Sequence, residues 1–214
     1  MTALDAARSD LVRAARHLAR RGLSPGSSGN LSVRLGDQLL ITPTGSSLSR
    51  VTEEEIAFVA LDADPGDATP AGPRPSKELP LHLAVYRRRP SATAVVHLHS
   101  PYATAIACLP PAPDGTAPLP PLTPYRLMRL GAVPVAGYAA PGTAELAAGV
   151  DALIAGNPVV LLAQHGSVVA AEGIDVAIDM AEELETAAQL TLLLRDSPAR
   201  HLTPEQVAAL PRPS

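Results

Sequence analysis

Val95-Val96-His97-Leu98-His99 is the stretch from which the chain is best read. From Thr93 to His99 the residues alternate strongly in character, which predicts a β-strand. Side chains alternate faces along a strand, so His97 and His99 project from one side while Val96 and Leu98 face the other. Two imidazoles at adjacent same-face positions can chelate one cation, a geometry that suits zinc and its neighbours. They can equally be two hydrogen-bonded structural histidines, because an HxH on a strand is a weak motif alone.

Just upstream, Ser76 is positioned to cap a helix running to about Arg88, where Pro90 stops it. Glu78 then falls in the first helical turn, where the helix dipole favours a carboxylate in any protein. Its functional reading is a metal ligand or general base. His82 lies one turn further on and is read as structural, since the helix also needs an inner face. Downstream, Val159 to Ala163 forms a short, fully apolar strand of the buried kind, ending at Gln164-His165-Gly166. His165 is therefore expected at a sheet edge, either as a turn residue or as a ligand fixed by a rigid strand end.

Further out, Leu4, Ala7, Leu11, Ala14, Ala15 and Leu18 recur at helical spacing, giving a first amphipathic helix that ends near Gly22. Ser24 to Asn30 is a small-residue loop. Leu31 to Leu35 and Gln38 to Ile41 flank Gly36-Asp37 as a hairpin, and Thr42-Pro43-Thr44-Gly45 makes a second turn. Thr52 and Glu55 form a capping-box pattern before the strand-like Phe58 to Leu61. Residues 62–75 read as a surface loop, and the proline-dense stretch 109–124 as an irregular excursion. Ile174, Ala177, Ile178, Ala181 and Leu184 mark a long helix reaching about Leu194. The chain reads as one mixed α/β domain over residues 1–214, with helices covering a sheet.

Composition agrees. Hydrophobic residues make up 46% of the 214 and charged residues 18%, which is globular rather than disordered. A net charge of −4 argues against broad electrostatic binding to nucleic acid. The single cysteine, Cys108, excludes an intrachain disulfide and a cysteine-based zinc site. Neither a signal peptide nor a membrane-spanning run is read, so a cytoplasmic soluble protein is expected.

Five segments in order, Gly29-Asn30-Leu31-Ser32, Ile41-Thr42-Pro43-Thr44-Gly45, Ser76-Lys77-Glu78, Val96-His97-Leu98-His99-Ser100 and His165-Gly166, give the chain its wider resemblance. It resembles the class II aldolase/adducin family, whose best-known member is L-fuculose-phosphate aldolase. The resemblance implies a three-layer α/β/α fold with a mainly antiparallel sheet, and a homotetramer with active sites between subunits. It implies one divalent ion per subunit, usually zinc with manganese or cobalt as alternatives, held by Glu78, His97, His99 and His165. It also implies a phosphate cradle at Asn30, Thr44, Gly45 and Ser76, consistent with small residues that let backbone N–H groups approach an anion.

Within the family, Glu78 matches the aldolases, whereas the similar pentulose-phosphate 4-epimerases carry Asp there. Non-catalytic adducin-type scaffolds, a different class of outcome, lack the histidine set. Leu122-Thr123-Pro124-Tyr125, Gly131, and Tyr138 with Pro141-Gly142 resemble the branch that decarboxylates 3-oxo-tetronate 4-phosphates. In that resemblance Tyr125 is the catalytic proton donor. Lys77 is the only lysine in the chain; the fuculose-phosphate enzyme has serine there. A compact ammonium at that point could bind a substrate carboxylate or phosphate. The expected activity is metal-dependent C–C cleavage through an enediolate: decarboxylation of the sugar acid, or alternatively a fuculose-phosphate-type aldol cleavage. The expected partner is a small phosphorylated sugar or sugar acid, with neither nucleic acid nor membrane.

Overall fold

The computed structural model describes residues 2–63 and 72–211. Part of the expected 62–75 surface loop lies outside the described residues. Seven strands form one sheet in the order β3-β2-β1-β4-β7-β6-β5. They are β1 (Asn30–Leu35), β2 (Gln38–Ile41), β3 (Ala57–Ala60), β4 (Ala94–Leu98), β5 (Val135–Ala136), β6 (Val159–Leu162) and β7 (Gly166–Ala171). All neighbouring pairs are antiparallel except β5 with β6, so the expected mainly antiparallel sheet is borne out.

The helices are α1 (Ala3–Arg20), α2 (Leu79–Arg88), α3 (Pro101–Ala107), α4 (Pro124–Leu130), α5 (Ala144–Ile154), α6 (Ile174–Leu193) and α7 (Pro204–Ala208). Strand alternation sorts them into layers. Leu31, Val33, Leu40, Val96, Leu98 and Val169 share a core with α1, α3 and α6. Leu39, Ile41, Val95, Val160 and Val168 share another with α2 and α5. Two cores on opposite faces of one sheet make three layers, as the family resemblance implied. No described helix is long and apolar enough to cross a membrane.

Three local expectations are corrected. Helix α2 starts at Leu79 with Glu78 at its N-cap, not with Ser76. A turn closed by Leu79 N–H donating to Ser76 O at 3.0 Å precedes it. Pro80 occupies the first helical turn, so it offers no N–H for a cap to satisfy. The 109–124 excursion contains the start of helix α4, which opens on Pro124 in the first-turn position where proline is tolerated. His165 lies not at a lateral sheet edge but in the turn joining β6 to β7, two interior strands.

Candidate metal centre

His97 is fully buried in the central strand β4. Its parity puts it on the α2 face, beside Val95 and directly opposite Asn30 of β1. His99 follows the end of β4. His165 precedes β7, where Gln164 takes a left-handed φ of 58° to make the turn. Gly166 is required there: a Cβ would lie well inside contact distance of the Leu98 carbonyl. The ends of β4 and β7 thus approach without an intervening side chain, and the three histidine rings fall together, with centroids 4.6 to 5.0 Å apart.

Glu78 completes the cluster from the other layer. Its Oε2 lies 3.1 Å from His97 Nε2, and its Oε1 lies 3.3 Å from His165 Nε2. His99 Nε2 stands 3.0 Å from His97 Nε2. One donor atom from each of the four residues lies within 4.8 Å of the others. The Ser167 carbonyl can only accept, so at 2.9 Å it takes the proton of His97 Nδ1. That leaves the Nε2 of a neutral His97 as a lone pair aimed into the cluster, the arrangement used to orient metal-binding histidines. Glu78 Oε1 and both His165 nitrogens are buried without a hydrogen-bond partner. Unpaired lone pairs converging on one point carry a desolvation cost that a cation would remove. The donor set fits a divalent ion of the zinc type, three nitrogens and one carboxylate.

Electrostatics point the same way. Burial opposes ionisation of Glu78, but the His97 ring and the Asn30 amide outweigh it and hold the carboxyl well below its usual range. Burial lowers His99 and His165 to about 4, with His97 adding to the effect in both. Near neutral pH the site therefore offers an anionic Glu78 carboxylate and neutral imidazoles at His99 and His165, the protonation states that ligate.

The cluster forms part of the wall of a cavity of about 150 Å³ that is also lined by Asn30, Thr44, Gly45, Ser76, Lys77 and Pro141. The five residues expected at the substrate are thus brought together beside the four candidate ligands. Thr44 N–H donates to Arg74 O and Ser76 N–H to Thr42 O, both at 3.1 Å, which laces the two loops together. Those two backbone donors are spent, which leaves Thr44 and Ser76 their hydroxyls as remaining donors.

Tyr125 is not part of this assembly. It is 60% exposed on α4, beside Arg21, Arg129 and Glu182 in a surface depression that contains none of the cluster residues. A larger cavity of about 960 Å³, lined in part by Arg89, Arg126 and α7, also contains none of them.

A further group escaped the sequence reading. Asn30 donates its side-chain N–H to Glu78 Oε2 at 2.8 Å, and its Oδ1 faces His82 Nε2 at 2.5 Å. His82 Nδ1 meets Ser32 Oγ at 2.6 Å, and Tyr86 lies 3.0 Å beyond. The signal was available in part. Glu78, His82 and Tyr86 are spaced by four, and so share one helical face.

An α/β/α sheet protein carrying a Glu-His₃ cluster beside a small polar cavity belongs with metal-site proteins that handle small polar ligands. More narrowly, the chain belongs to the class II aldolase/adducin family: the model for the Class II Aldolase and Adducin N-terminal domain matches residues 9–192. It is 42% identical to the 3-oxo-tetronate 4-phosphate decarboxylase of Escherichia coli over 204 residues, 95% of this chain and 94% of that one. It is 35% identical to an Escherichia coli L-fuculose phosphate aldolase over 197 residues, 90% of this chain and 86% of that one. The crystal structure of YgbL from Escherichia coli superposes with a TM-score of 0.91 at 40% identity, covering 98% of this chain and 99% of that one.

Proposed function

We propose that this chain is a divalent-metal-dependent C–C lyase that converts 3-oxo-tetronate 4-phosphate to dihydroxyacetone phosphate and CO2. The observation that carries the reading is the convergence of Glu78, His97, His99 and His165 beside a cavity that also takes in Lys77 and Ser76. The higher identity to the decarboxylase than to the aldolase favours loss of CO2 over loss of an aldehyde. A bound ion, zinc in this reading with manganese or cobalt as substitutes, supplies Lewis-acid stabilisation of the enediolate left when CO2 departs.

The protein's own groups do the rest. Ser76, Thr44, Gly45 and Asn30 hold the C4 phosphate, and the Lys77 ammonium orients the C1 carboxylate. The C1–C2 bond breaks, its electron pair moves into C2 and onto the C3 oxygen, and C1 leaves as CO2. A proton then returns to C2. Glu78 is the carboxylate next to that carbon, and Tyr125, supplied by a second copy, is the acid. The unit is proposed as one domain over residues 1–214 that works in the cytoplasm as a homotetramer.

The test follows CO2 and dihydroxyacetone phosphate release from 3-oxo-tetronate 4-phosphate, with L-fuculose 1-phosphate in parallel. Chelator-sensitive, metal-restored CO2 release is expected. Aldehyde release from fuculose 1-phosphate without CO2 from the acid would make the chain an aldolase and remove the role given to Lys77.

A further inference from the structure

We propose that Ser32, His82 and Tyr86 are positioning residues that act through Asn30 to hold Glu78 in its working orientation. The inference rests on the reading of Glu78 as a group of the metal centre. The chain of contacts is continuous, and every side chain in it is at most 5% exposed.

Its direction follows from which groups can donate. An ionised carboxylate only accepts, so Asn30 must turn its NH₂ toward Glu78. The reverse amide orientation would set two acceptors against each other. Asn30 Oδ1 then requires a proton from His82 Nε2. With that proton on Nε2, a neutral His82 has a lone pair on Nδ1, which accepts from the Ser32 hydroxyl. The single Tyr86 hydroxyl proton is shared between the Ser32 carbonyl at 3.1 Å and Ser32 Oγ at 3.0 Å, so Tyr86 holds Ser32 from the far side. One charged end thus polarises the whole string, and each link fixes the next.

The string costs desolvation at every member, inside a layer otherwise filled by Val, Leu, Ile and Ala. Apolar residues of similar volume would pack the same space without that cost. What the polar version adds is a fixed acceptor geometry. Oε2 is tied to Asn30 while Oε1, with no partner, faces His165. Glu78 sits at the N-cap of α2, its carbonyl accepting from the N–H groups of Leu81 at 3.0 Å and His82 at 3.4 Å, so its backbone is fixed while its side chain is left to the string. His82 and Tyr86, one and two turns further on, anchor that helix face to β1.

The experiment uses metal-free, ¹⁵N-histidine-labelled protein and metal binding, so it does not depend on which substrate is correct. Wild type should show His82 as the neutral Nε2–H tautomer, its signal assigned by loss in His82→Gln. Ser32→Ala and Glu78→Ala, on either side of the His82–Asn30 link, should each abolish that single tautomer. Ser32→Ala and His82→Gln should also weaken Zn²⁺ binding by roughly 10–100-fold. Where turnover is measurable, they should lower kcat more than they raise KM. An Nδ1–H tautomer in wild type overturns the proposal. So does a Ser32→Ala protein that loses thermal stability yet keeps wild-type Zn²⁺ affinity and the His82 tautomer. If wild type releases no CO2 from 3-oxo-tetronate 4-phosphate, the proposed function fails while the tautomer and affinity results still decide the relay.

Discussion

His99 and His165 stand where burial and a neighbouring imidazole both disfavour protonation, and this ties stability to pH. Each is lowered to about 4 in the folded chain, against about 6.5 for an exposed histidine. Burial takes His82 to about 3. Between those limits the unfolded chain binds protons that the folded chain refuses, so stability falls as pH falls. The contribution is fully present above the unfolded value and is lost progressively toward about pH 4. The urea midpoint of chelator-treated protein should be steady from about pH 8 to 7 and decline from about pH 6.5 to 4.5. A midpoint that is flat or rises over the lower range would show that these rings are solvated. The same depression means that protons compete little with a metal ion near neutrality.

At the scale of elements, two contacts set where the ligands point. Gly166→Ala forces a methyl group against the Leu98 backbone where β7 leaves the His165 turn. It should destabilise by about 1–3 kcal/mol or more and lower bound metal, measured by thermal unfolding and metal content. Preserved stability with full metal occupancy would mean the two strands can part without cost. Glu185 of α6 accepts the N–H groups of Tyr102 and Ala103, at 2.9 and 2.8 Å. It thereby caps α3, the helix that begins two residues after His99. Glu185→Ala should cost about 1–3 kcal/mol and speed amide exchange at Tyr102 and Ala103 selectively. Uniform acceleration along α3 would indicate loss of packing and not loss of a cap.

These elements also mark what the sequence could and could not disclose. Strands β1, β2 and β4 and helices α1 and α6 were readable from alternation of two or spacing of about 3.6, and β6 from a short, fully apolar run ending at a turn. Helices α4 and α5 were not. The first is seven residues long and begins inside a proline-dense run, and the second is rich in alanine, whose small side chain marks no strong apolar stripe. Packing of α4 on α6 and of α5 on α2 decides them instead. The four candidate ligands were legible as types, but their convergence needed the Gly166 approach between β4 and β7. Ser32 and His82, 50 positions apart, are ordinary residues until β1 and α2 are laid face to face.

On the whole-molecule scale, the decisive separation is between the metal cluster and Tyr125. In one chain the tyrosine faces outward beside Arg21 and Arg129, on a helix that packs against α6 in the layer away from Glu78. A proton donor must come within hydrogen-bond reach of the reacting carbon's proton path. If Tyr125 acts, it must therefore enter the site of a neighbouring copy, and the active unit is an assembly. Tyr125→Phe and His97→Ala should each be nearly inactive alone. Unfolded together and refolded as a mixture, they should recover activity, because some sites combine intact ligands from one chain with an intact tyrosine from another. Random assembly in a closed ring makes that fraction about one quarter of all sites. Recovery toward that level, tracked by CO2 release against the fraction of mixed oligomer, supports the shared site. A mixed oligomer with no recovery, or a Tyr125→Phe protein as active as wild type, removes Tyr125 from the chemistry and leaves the proton to Glu78.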